Sequence, residues 1–63
     1  MKISDKLNKV DEDMTIRMYD NGYLFEISGR DSNDDWSNVK ILCRDLSQVI
    51  ELVTEATTDM DRT

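Results

Sequence analysis

The chain has 63 residues, 14 acidic against 8 basic for a formal net charge of −6, with one cysteine and neither histidine nor proline. A domain this small buries only about 60% of the surface its unfolded chain exposes, so one core is permitted and a second is excluded. The charge balance repels phosphate backbones and anionic headgroups, which disfavours direct nucleic-acid and membrane binding, and the lone Cys43 can form neither an internal disulfide nor a Cys/His zinc site.

Residues Met1 to Asp5 show neither the apolar segment nor the cleavage site of a signal peptide, and no long apolar run follows, so a cytoplasmic protein is expected. Ile3, Leu7 and Val10 fall at i, i+4, i+7, the spacing of a short helix that Ser4 could cap; the alternative is an arm docking through one or two apolar side chains. Residues 1–13 are therefore read as an N-terminal arm or short helix.

From Met14 the pattern changes period. Met14, Ile16 and Met18 alternate with Thr15, Arg17 and Tyr19, as expected of a half-buried strand. Asn21-Gly22 then predicts a two-residue type I′ hairpin, because both central positions need positive φ. That placement pairs Met18 with Phe25, Ile16 with Ile27, and on the opposite face Arg17 with Glu26 and Tyr19 with Leu24. Residues 30–35 are polar and aperiodic and read as a loop. Val39, Ile41 and Cys43 alternate with polar neighbours and predict a third strand, although Leu42 interrupts the polar set.

Asp45 and Gln48 have capping-box spacing and predict a helix over 45–58, fraying past Ala56. Leu46, Val49, Ile50, Val53, Ala56, Thr57 and Met60 form its expected buried stripe. The fold class is thus α+β: a three-stranded antiparallel meander over 14–43 with one C-terminal helix packed on one face, in a single domain of 63 residues.

Catalytic chemistry finds little to work with. The commonest general base and metal ligand is missing, Cys43 has no histidine partner, and Gly22 and Gly29 stand apart rather than in a phosphate-binding loop. Asp31, Asn33 and Asp35 share the first spacings of a calcium loop, but Trp36 stands where that loop needs glycine and Leu42 where it needs glutamate. No enzyme activity, cofactor or metal is expected.

Binding is the better expectation. Asp31, Asp34 and Asp35 with Trp36 form an acidic loop beside an aromatic anchor. Glu51, Glu55 and Asp59 follow i, i+4, i+8 and predict a negative ridge opposite the apolar stripe. The competing reading makes the ridge a solvated helix face and Trp36 the plug of one end of the core. Tyr19, Leu24 and Leu42 fall on the sheet face away from the helix, where a cluster predicts self-association as a homodimer.

Asn21-Gly22-Tyr23 at a hairpin, Ser28-Gly29-Arg30-Asp31 leading into Asp34-Asp35-Trp36, and Asp45-Leu46 opening a helix resemble small accessory proteins of tailed bacteriophages and prophages, over about two thirds of the chain. The resemblance implies a protein of the host cytoplasm that binds and inhibits or redirects one host factor, such as a nucleic-acid-binding enzyme or a CRISPR-type defence complex, in some cases by mimicking nucleic acid. The function expected is a small acidic protein-binding module acting on a basic surface of a host protein. The alternative is a structural homodimer with no foreign target.

Overall fold

The computed structural model describes residues 2–63. The chain passes through a 3-10 turn at Ile3–Asp5, β1 at Lys9–Tyr19, β2 at Gly22–Arg30, β3 at Trp36–Cys43, α1 at Leu46–Thr54, a π turn at Glu55–Asp59 and β4 at Asp61–Arg62. The strands form one sheet in the order β3-β2-β1-β4, antiparallel except that β4 runs parallel to β1 beside Lys9 and Val10. The fold is α+β with one C-terminal helix. The expected three-stranded meander is corrected to a mixed four-stranded sheet, because Asp61–Arg62 returns to the outer edge of β1 and the Thr63 N–H reaches the Val10 carbonyl at 2.9 Å.

The apolar alternation read in the sequence sets the sheet's faces. Phe25, Ile27, Val39, Ile41 and Cys43 are buried beneath the helix, each large aliphatic or aromatic side chain contributing roughly 1.5–3 kcal/mol by leaving water. The hairpin register, however, differs. Met18 pairs with Tyr23, Ile16 with Phe25, Met14 with Ile27 and Arg17 with Leu24, so the loop residues are Asp20 and Asn21 rather than Asn21 and Gly22. Among the described residues, Asp34 is the only non-glycine with positive φ, so the turn is not type I′. Moving the turn by one residue keeps every side chain on its expected face. Gly22 joins β2 instead of the turn; a Cβ there would lie 2.7 Å from the Cys43 carbonyl oxygen, so the close approach of β3 demands glycine.

Strand β1 starts at Lys9, well before Met14, and carries Asp11-Glu12-Asp13 as an irregularity between Val10 and Met14. Gly29 lies opposite this bulge, where a Cβ would collide with the Lys9 carbonyl. Ile3, Leu7 and Val10 are all fully buried, although a 3-10 turn and the start of a strand replace the predicted helix over residues 3–10.

Helix α1 opens as expected. The Asp45 carboxylate accepts the Gln48 N–H at 3.1 Å, and the Gln48 side chain reaches back to the Arg44 N–H at 2.6 Å. Its buried face is Val49 and Leu52, continued by Ala56 in the π turn, with Val53 half-buried at the margin. Leu46 and Ile50 are exposed, which corrects the predicted stripe. After Thr54 the helix widens into the π turn, where the Thr57 and Thr58 hydroxyls bond the Val53 and Thr54 carbonyls and compete with the regular ladder.

Candidate functional site

The acidic loop is built around one of its own carboxylates. Asp31 Oδ1 accepts the N–H groups of Asn33 (2.9 Å) and Asp35 (3.1 Å), while backbone bonds link Asp31 to Asp34 and Asp35 at 3.0 Å. Asp34 takes φ 62° at the apex, a conformation short polar residues tolerate best after glycine. Arg30 donates to the Asp34 carbonyl at 3.3 Å and stacks its guanidinium 5.6 Å from the centroid of the Trp36 ring. Asp31 therefore holds the loop, and Asp34 and Asp35 remain exposed beside Trp36, itself 53% exposed. The alternative placing of Trp36 in the core is excluded. The Asp31-x-Asn33 spacing, shared with calcium loops, is here the signal of a side chain capping its own turn. Among the described residues no group of three His, Cys, Asp or Glu is placed to hold a metal ion.

Glu51, Glu55 and Asp59 do come together, lining one recess with Lys2 and Leu52. The ridge nevertheless does not simply face solvent. Glu55 accepts the Ile3 N–H at 2.8 Å and the Ser4 N–H at 3.1 Å, which ties the N-terminal turn to the end of the helix. Burial pushes the Glu55 carboxyl up, but these two backbone N–H groups, the Ser4 hydroxyl and Lys2 outweigh it and hold the group below the ordinary glutamate range. Lys9, Arg30 and Trp36 share the end row of the sheet, and β4 joins it at Lys9. The acidic loop and the region after Asp59 thus lie at one end of a molecule 35 Å long, interspersed with Lys9, Arg30 and Arg62.

Toward the opposite end lie the exposed large apolar side chains other than Trp36. On the outer sheet face Leu24 pairs directly with Leu42, which is 76% exposed, and Tyr19 lies one row beyond, next to Arg17 in the alternation. Arg17 pairs with Leu24 and reaches Glu26 only diagonally, at 4.0 Å. On the helix face Met18 and Ile16 are 81% and 43% exposed. Gln48, Glu51 and Leu52 line a recess with Ile41, Leu42 and Cys43 at the β3 side, so the opposite flank of α1, bearing Leu46 and Ile50, turns toward β1. The sequence reading missed this second apolar surface because it assigned Ile16, Met18, Leu46 and Ile50 to the core.

Cys43 is fully buried, and burial together with the nearby Asp45 charge pushes its thiol pKa up, which disfavours the reactive thiolate. Among the described residues no helix is long and apolar enough to cross a membrane. Comparison with protein families, curated proteins and solved structures finds no match to this chain.

Proposed function

We propose that the chain is a small non-enzymatic protein-binding module that occupies a basic surface of a host factor and inhibits or modulates it. The observation that carries this reading is the braced loop, in which Asp31 is satisfied by its own backbone while Asp34, Asp35 and Trp36 are presented together. A loop ordered before docking loses less conformational freedom on binding, and exposed carboxylates next to an aromatic ring suit a partner rich in Arg or Lys. The net charge of −6 adds long-range attraction to such a surface, acting within a Debye length of about 8–10 Å at physiological salt. The resemblance to phage accessory proteins supports a host protein as the partner.

Tagged protein incubated with bacterial lysate at low and moderate salt tests the reading. One partner should be enriched at low salt and lost with Asp34→Asn/Asp35→Asn, a variant that leaves the Asp31 brace in place. A partner retained by that variant would exclude the loop as the binding surface.

The second reading is a structural homodimer joined through the outer sheet face, favoured by the direct Leu24–Leu42 pair and its proximity to Tyr19. Its signature is stability that rises with protein concentration and falls with Leu42→Lys.

A further inference from the structure

We infer that the outer edge of β1 is a self-pairing seam: Met14–Met18 of one copy pairs antiparallel with the same segment of a second copy, with Ile16 on the two-fold axis. The inference does not rest on the acidic-loop reading.

The first observation is an open edge. β4 pairs with β1 only at Lys9 and Val10, so from Met14 onward the backbone groups of β1 that point away from β2 have no strand partner among the described residues. Exposed edges are normally blunted by bulges, prolines or lysines. Here the bulge lies upstream of Met14, and the segment Met14-Thr15-Ile16-Arg17-Met18-Tyr19 contains neither proline nor lysine. The other outer strand, β3, is guarded: Lys40 lies in it, and Lys6 lines the same recess as Ser37–Lys40.

The second observation is that the segment complements itself. Antiparallel pairing about Ile16 sets Ile16 against its own copy, Met14 against Met18, and Thr15 against Arg17. The exposed Ile16 and Met18 then meet across the seam, Ile16 against its own copy and Met18 against the half-buried Met14. Charge bears on the orientation of the strands. Arg17 is the only charged residue in the segment, and the antiparallel register sets it opposite Thr15 of the other copy, with that copy's Arg17 and its Asp13, the last residue of the acidic bulge, each two positions away, so repulsion and attraction offset. A parallel pairing would set Arg17 against Arg17, a like-charge contact that opposes association.

Sedimentation of the purified protein between about 1 µM and about 1 mM reads the seam directly. A concentration-dependent dimer is expected. Ile16→Lys and Met18→Lys should each shift it to monomer by at least tenfold in dissociation constant, whereas Asp34→Asn/Asp35→Asn should not change it. Met18 is so exposed that its variant keeps the fold, which circular dichroism checks, so the test stands even if Ile16→Lys unfolds. A short thiol cross-linker should join Ile16→Cys chains; buried Cys43 gives no such product in the unmodified protein. A monomer across the whole range overturns the inference. So does a dimer that survives Met18→Lys and is lost with Leu42→Lys, which would move the interface to the outer sheet face.

Discussion

Glu55 and Ile3 stand at opposite ends of the sequence and are joined by a 2.8 Å hydrogen bond from the Ile3 N–H to Glu55 Oε1, seconded by the Ser4 N–H on Oε2. This carboxylate caps the N-terminal turn in the way an N-cap side chain would, but from a distant helix. Glu55→Ala should cost roughly 1.5–3 kcal/mol in urea unfolding, the range for hydrogen bonds to a charged group.

The same bond makes stability depend on pH. The folded-state pKa of Glu55 lies below its ordinary value of 4.5, so its contribution is complete above that value and is lost as pH falls through the lowered folded value. Asp45, held low by the Ser47 hydroxyl and then by the Gln48 N–H, acts in the same direction below 3.8. Unfolding midpoints should therefore decline as pH is lowered below about 4.5, and Glu55→Gln should flatten the upper part of that decline. An equally steep decline in the variant would remove Glu55 as its source.

The orientation of α1 gives a sharp pair of mutants. Leu52 is buried and Ile50 is 55% exposed. Leu52→Ala should cost about 2–5 kcal/mol, and Ile50→Ala should stay within about 0.5 kcal/mol at concentrations where the protein is monomeric. The reverse order would restore the stripe expected from the sequence.

Gly29→Ala should destabilise by about 2 kcal/mol or more, because its Cβ would press on the backbone of β1 at Lys9 and Val10, where no side-chain rotation can relieve it. Denaturant titration reads the loss.

Asp31→Ala should cost about 1 kcal/mol by leaving the Asn33 and Asp35 N–H groups without their acceptor, and Asp31→Asn, which keeps an oxygen in place, should recover most of it. Hydrogen exchange at those two amides measures the effect locally. Equal loss in both variants would mean that charge, not the acceptor, holds the loop.

The strand faces were legible in the sequence because alternation with period two survives any register shift that preserves parity. For the same reason the exact hairpin register was not: the predicted and observed pairings place the same side chains on each face, and the close approach of β3 to Gly22 decides between them. The start of α1 was legible from Asp45 and Gln48, which act locally. Its rotation was not, because apolar residues wrap far enough round the helix to offer two overlapping stripes, and only the helix's seat over β2 and β3 selects Leu52 over Leu46 and Ile50. Asp11-Glu12-Asp13 disfavours a strand by composition, yet β1 runs through it as a bulge accommodated by Gly29. In the candidate site, spacing singled out the acidic residues of loop and ridge, but the structural duties of Asp31 and Glu55 depend on contacts that spacing alone does not specify.

Trp36 is the sole tryptophan, and it sits beneath Arg30 at the rim of the loop rather than in the core. The protein consequently carries an intrinsic optical reporter on a single segment. Its emission follows the loosening of the Arg30 stack, while far-ultraviolet dichroism follows the sheet and helix. Coincident transitions would make the loop part of the cooperative fold, and an earlier fluorescence change would define it as a separate unit that opens on a folded scaffold.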